Sequence, residues 1–200
     1  MYFYRHKILY MKKILLSVTA LMAFNVAQAQ DFRIGPKFGL NFANIRSEPK
    51  TDGAIIGYTA GAIGELVLNE TISIQTEILY STQGAKLADG GTRSEIGLNY
   101  LIIPIMFKYY IKDGLNIEAG PQYGRLLSVE SDDNMTGLFD VWDSYKDSDI
   151  SFNAGVEYYF DWGMFVQARY SVGLTDINDS ALFENEKYNN VFSLSVGLKL

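Results

Sequence analysis

The residues best equipped to do chemistry in this chain are carboxylates set among apolar neighbours. Glu65, Glu77, Glu118 and Glu157 each occupy an alternate position of a segment whose other positions are mostly apolar. Lys37, Lys108, Arg169 and Lys199 are spaced in the same way. Charges that recur with period two share one face of a strand. A buried charge is costly unless it is paired, so the simplest chemistry for this set is an ion-pair network. Its expected members are Glu65, Glu77, Lys108, Glu118, Glu157 and Arg169, with the planar donor fork of Arg169 at the centre. Proton transfer or catalysis by the acids is the weaker reading, because acids interleaved with as many bases more often serve structure.

A second acid-rich stretch runs from Ser128 to Asp149 and carries Glu130, Asp132, Asp133, Asp140, Asp143, Asp147 and Asp149 beside Phe139, Trp142 and Tyr145. Within it Asp132, Asn134, Thr136, Gly137 and Asp143 fall at positions 1, 3, 5, 6 and 12 of the calcium-loop pattern, with the Leu138 carbonyl at position 7. Oxygen donors two residues apart can converge on one hard cation. Against a Ca2+ site, position 12 is Asp rather than the longer Glu, and no helices flank the stretch. The plainer expectation is a solvated acidic loop. A surface that meets a partner protein is the third, since exposed Trp and Tyr favour interfaces.

Other chemistries are removed by what the sequence omits. It contains no cysteine, hence no disulfide, thiol nucleophile or lipoprotein anchor, and its one histidine is His6. Without an imidazole a serine has no ordinary general base. No Gly-x-Ser-x-Gly and no phosphate-binding Gly-rich loop follows. No enzymatic activity and no cofactor is expected.

His6 itself falls in a segment unlike the remainder. Arg5, Lys7, Lys12 and Lys13 precede an apolar run from Ile14 to Val26, and Ala27-Gln28-Ala29 has small residues at the A-x-A spacing. Residues 1–29 therefore read as a secretory signal peptide, with Met11 an alternative start, and residues 30–200 as one exported domain. Cleavage after Ala29 removes four of the 17 Lys and Arg and none of the 23 Asp and Glu, leaving a net charge near −10. That balance argues against nucleic acid as a partner.

The elements that position the charges are strands. Phe32, Ile34, Phe38, Leu40 and Phe42 alternate with Arg33, Gly35, Lys37, Gly39 and Asn41, and seven further segments of about ten residues repeat the rule. The faces opposite the apolar ones hold many Gly, Ser and Thr rather than the Lys and Glu that coat a soluble surface. Tyr58, Tyr80, Tyr109, Tyr123, Tyr158 and Tyr170 lie on the apolar faces, mostly towards strand ends, as in an aromatic girdle. Connections after the second, fourth and sixth segments are tight; those after the first, third, fifth and seventh are long and polar. The fold expected is all-β, an eight-stranded antiparallel up-and-down transmembrane β-barrel, with short turns and both termini in the periplasm. A secreted water-soluble barrel is the alternative.

Gln75-Thr76-Glu77-Ile78-Leu79-Tyr80-Ser81, Tyr100-Leu101-Ile102-Ile103-Pro104, Ala119-Gly120-Pro121 and Arg169-Tyr170-Ser171-Val172-Gly173-Leu174-Thr175-Asp176-Ile177 also carry a resemblance. The chain resembles the PorT-like family of outer-membrane β-barrels, within the superfamily that includes OmpA-type barrels. It departs from the pattern at Ile102, where an acid is frequent, and at Leu200, where an aromatic residue is usual. The resemblance implies the outer membrane of a Gram-negative cell, with membrane lipids around the barrel, and the family's part in secretion is not carried over to this chain. Three function classes follow: a structural or docking barrel, with an envelope or secretion protein as its partner, a narrow channel or small-ligand binder, and a barrel lipid enzyme, which the missing histidine disfavours.

Overall fold

Period-two alternation leaves each segment one way to satisfy its backbone in hydrocarbon, which is to pair on both sides and close. The computed structural model describes residues 31–47, 53–89, 92–131, 145–179 and 186–200 and shows that solution. Eight strands follow in chain order: β1 (Asp31–Arg46), β2 (Gly53–Val67), β3 (Ile72–Asp89), β4 (Thr92–Lys112), β5 (Leu115–Ser131), β6 (Ser148–Tyr159), β7 (Met164–Gly173) and β8 (Tyr188–Leu198). Each pairs antiparallel with the next, and β1 pairs with β8 from Lys37↔Gly197 to Arg46↔Tyr188, which closes the barrel. Leu200 extends the seam by exchanging backbone hydrogen bonds with Ile34 in both directions. The proposed leader, residues 1–29, lies outside the described residues.

The barrel inverts the usual relation between polarity and burial. Phe38 is 57% exposed and Ile56 73%, whereas Glu65 and Gln75 are fully buried. A continuous ring of exposed Phe, Ile, Leu, Val and Tyr is far more than a soluble monomer leaves in water. Aromatic side chains cluster on that outer surface: Tyr58 meets Tyr80 at 5.8 Å, Phe42 meets Phe192 at 6.1 Å, and Tyr158, Phe160 and Trp162 form a chain.

The tight turns form as their residues dictate. Asn69 accepts the backbone amides of Thr71 and Ile72 on its side-chain oxygen, bending β2 into β3. Gly114 and Gly163 adopt φ of +78° and +96° in the other two, a conformation that costs glycine nothing.

One expectation about the connections is overturned. In place of a long polar loop after β3, pairing continues to Asp89↔Thr92, so β3 and β4 make an extended hairpin of 18 and 21 residues. Two causes are visible. Asp89-Gly90-Gly91 is a hairpin-turn sequence, and the inward positions Ala85 and Leu98 are apolar and completely buried, so the strands keep a core to pack against. β5 follows β4 up to Ile96↔Ser131, but β6 leaves β5 at Arg125↔Ser148. β2 stays paired with β3 as far as Gly53↔Lys86, so on the side opposite the short turns only the β3–β4 hairpin, Leu87↔Ser94 to Asp89↔Thr92, runs past both of its neighbours.

The orientation of the two faces makes a direct prediction. Leu194→Arg, midway along the outward apolar band, should destabilise the barrel by about 2–4 kcal/mol in reversible urea unfolding from lipid vesicles. Ile111→Arg, at the turn end of β4, should cost no more than about 1 kcal/mol. Equal small effects at both positions would place the outer face in water.

Candidate functional site: a charge-plugged lumen

The inward faces of eight strands enclose a space that side chains can fill, and here they fill it with charge. Arg169 on β7 reaches across to β3, donating from Nη2 to Glu77 Oε1 at 2.8 Å and from Nη1 to Glu77 Oε2 at 3.0 Å. Its Nε donates to Glu118 Oε1 on β5 at 2.8 Å. This forked contact uses the planar geometry that distinguishes Arg from Lys. Lys37 on β1 donates to the same Glu77 at 2.9 Å, so one carboxylate is held by two cations. Gly155 opens the space beside this group, since a Cβ there would approach Glu118 Oε1 to 3.0 Å.

Nearer the tight-turn end a second group forms around Lys108. Its Nζ lies 2.6 Å from Glu157 Oε2 and 3.7 Å from Glu118 Oε2, which joins the two groups. Lys199 bridges Glu157 at 2.5 Å and Glu65 at 2.7 Å, and its Nζ lies 4.9 Å from the Phe165 ring centroid. Glu65 also accepts hydrogen bonds from the hydroxyls of Ser73 and, at 2.7 Å, Tyr110. The structure thus brings Glu65, Glu77, Lys108, Glu118, Glu157 and Arg169 into one network and adds Lys37 and Lys199 to it. Four acids face four bases, and the buried charge sums to zero.

Neutral amides complete the network, and these the sequence does not single out. Gln75 donates to Glu77 at 2.6 Å and accepts from Lys108 at 2.6 Å, linking the two groups a second time. Gln167 donates to both Glu118 and Glu157, and Asn116 to Glu157. Their signal was present, since each alternates with apolar residues, but an amide has no charge to draw notice. Higher in the barrel Asn41 binds three strands to its own: it donates to the Tyr58 carbonyl, Ser81 and the Thr82 carbonyl and accepts from Ser193. Between Asn41 and Arg169 lies a cavity of about 20 Å³, also lined by Lys37, Ser81, Gln122 and Asn153, large enough for about one water.

Above this polar column the lumen turns apolar. Ile45, Leu79, Ala85, Leu98, Tyr100, Ile102 and Leu126 pack together, and two residues from outside the strands, Tyr145 and Ile177, close over them. Tyr145 bridges to Asn178, and the Lys146 amide donates to the Ile177 carbonyl at 2.9 Å. This corrects the reading of the acidic stretch at both ends. Tyr145 is a buried cap residue instead of an exposed contact. Asp149 is 3% exposed and points inward from β6 instead of lying in a solvated loop, and Glu130 belongs to β5. The calcium-loop residues Asp132, Asn134, Thr136 and Asp143 lie outside the described residues. Among those described, no group of three or more acids, His or Cys is arranged to hold a metal.

A family model for the outer membrane protein beta-barrel domain matches residues 27–179. The chain belongs to that family. Among solved structures, this outer-membrane barrel is similar to Ail, the attachment invasion locus protein of Yersinia pestis, in complex with the heparin analogue sucrose octasulfate. The two are 12% identical with a TM-score of 0.51, over 86% of this chain and 100% of Ail. It is also similar to Neisserial surface protein A, at 11% identity and a TM-score of 0.53, over 84% of this chain and 97% of that one. At such identities the likeness speaks for the fold. No curated protein matches the chain. Fold and family together place the barrel in the outer membrane, where an exposed apolar ring suits contact with lipid.

The network makes removal of Arg169 costly. Arg169→Leu should leave Glu77 and Glu118 short of a buried partner and destabilise the barrel by about 3–5 kcal/mol. Arg125→Leu, which removes an exposed pair with Asp147 at 3.8 Å, should change stability by at most about 1 kcal/mol in the same vesicle unfolding assay.

Proposed function

We propose that this outer-membrane barrel is a closed, non-enzymatic scaffold that docks a partner protein of the envelope or of a secretion apparatus through its extracellular side. The observation that carries the reading is the filled lumen: a neutral ion-pair column below and an apolar cap above, with room for about one water between them. A barrel so filled offers no passage for solutes, which directs attention to the outer surfaces. Among the described residues on the side opposite the short turns, the β3–β4 hairpin runs past its neighbours to Asp89↔Thr92, and a paired hairpin standing off the membrane suits protein contact better than loop-borne catalysis.

Charge narrows the partner. The chain after Ala29 has a net charge near −10, so nucleic acid and polyanions such as the heparin analogue in the Ail structure are poor matches. A protein surface with basic character, or divalent cations shared with anionic lipid, fits better. Membrane lipids cover the apolar ring. The absence of any histidine after His6 supports a role without hydrolysis.

Two measurements test the proposal. In planar bilayers the purified barrel should show no steady conductance; a large steady conductance would favour a channel. Crosslinking in the native envelope should capture a protein partner. That capture should be lost when residues 87–94 are replaced by Asn-Gly, which shortens the projecting hairpin to the Lys86↔Glu95 pair. Unchanged capture by a correctly folded shortened barrel would remove the projection from the docking surface.

A further inference from the structure

Unlike the four lumen glutamates, Asp149 is buried with no cation paired to it among the described residues. Its Oδ2 accepts a hydrogen bond from Asn189 Nδ2 at 3.1 Å, and its Oδ1 has no partner. The same Asn189 amide approaches the Tyr100 hydroxyl at 3.3 Å. Asp149 lies outside the membrane-spanning part of β6. It is opposite Gly124, and the next outward-facing pair, Arg125↔Ser148, is polar and exposed, whereas Tyr123↔Ile150 below it begins the apolar band.

Among the described residues, those beside it bring no positive charge: Gly124 stands opposite on β5, Asn189 on β8 donates to it, and the Tyr100 hydroxyl on β4 shares that Asn189 amide. The nearby bases are committed elsewhere. Lys146 faces Asp176 at 3.6 Å, Arg125 faces Asp147 at 3.8 Å, and Lys187 stacks on the Tyr145 ring at 5.1 Å from its centroid. An ionised carboxylate in such a place is expensive unless water reaches it. Burial pushes the Asp149 carboxyl up to about 6, against the opposing hydrogen bond from Asn189.

Water can reach it by displacement of the cap. Tyr145 and Ile177 are held over the mouth by the Lys146-to-Ile177 backbone bond, by Leu126 N donating to Asp147 O at 2.8 Å, and by Ile177 N donating to Lys187 O at 2.8 Å. All of these lie within a few residues of Asp149 or on the segment that the Tyr145↔Asn178 bridge joins to it.

We propose that Asp149 is a proton-operated latch on the extracellular mouth: protonated, it keeps the Tyr145–Ile177 cap seated, and ionised, it draws water beneath the cap and loosens it. The sign follows from the raised carboxyl. The closed cap favours the neutral acid, so its full stability is present in acid, below the ordinary carboxyl range, and is lost as pH climbs through about 6. The partner-facing surface would thus be rigid in acidic surroundings and mobile in neutral ones.

The test is amide hydrogen exchange of the full barrel in lipid nanodiscs at pH 5 and pH 8, corrected for intrinsic exchange. Protection of the Leu126, Lys146 and Ile177 amides should fall roughly tenfold or more from pH 5 to pH 8 in the wild type, and should stay high at both in Asp149→Asn. Equal protection at the two pH values in the wild type, or the same fall in Asp149→Asn, would overturn the proposal. Carbon-13 NMR of the wild-type Asp149 carboxyl gives an independent reading should the variant not fold. Titration near pH 6 in step with the loss of protection supports the latch, and titration in the ordinary range near 4 contradicts it.

Discussion

Closing eight strands into a barrel turns one face of every strand into a space too narrow for bulk water, and any charge placed there must be cancelled from within. In this protein the cancellation is done by four glutamates and four bases, joined by Gln75, Gln167 and Asn116. Most of the structure depends on it. Arg169 and Glu77 stand on β7 and β3, which are not neighbours in the sheet, so their forked contact ties opposite walls of the barrel together. Without a balanced interior the strands could close only around unpaired charge or around water.

The lumen is divided by chemistry as well as by height. The charged column occupies the central part and the tight-turn end, and the apolar cap of Leu98, Tyr100, Leu126, Tyr145 and Ile177 occupies the opposite end. The outer surface is organised separately, with an apolar ring for lipid and the end of the β3–β4 hairpin beyond it. One sequence periodicity therefore writes two unrelated surfaces. The even-odd alternation assigns each residue to lipid or to lumen, and β3 and β4, which hold Glu77 and Lys108, also carry the extended hairpin.

That division explains what could be read from the chain alone. Within each of the eight segments of about ten residues, which face a residue takes was legible, because period two is a local property. The inward placement of Glu65, Glu77, Glu118 and Glu157 followed from it. Partners were not legible, because they depend on strand tilt and register: nothing near Glu77 in sequence indicates Arg169, which lies 92 residues away. Polarity also misled where tertiary context overrode it. Asp149 looked like one more acid of a solvated loop and is buried, and Tyr145 looked like an exposed contact and is the cap. The length of β3, β4 and β5 was underestimated because Gln83 to Ser94 is polar enough to resemble a loop, although pairing carries it as a hairpin.

The central claim is that charge balance inside the lumen, rather than any one contact, holds the barrel closed. A double-mutant cycle on Arg169→Leu and Glu77→Leu in lipid vesicles tests it most directly. Each single change leaves one buried charge unbalanced, and the pair restores neutrality. The account predicts a coupling of about 2–3 kcal/mol, with the double variant no less stable than either single. Additive losses, with the double variant the least stable of the three, would contradict it.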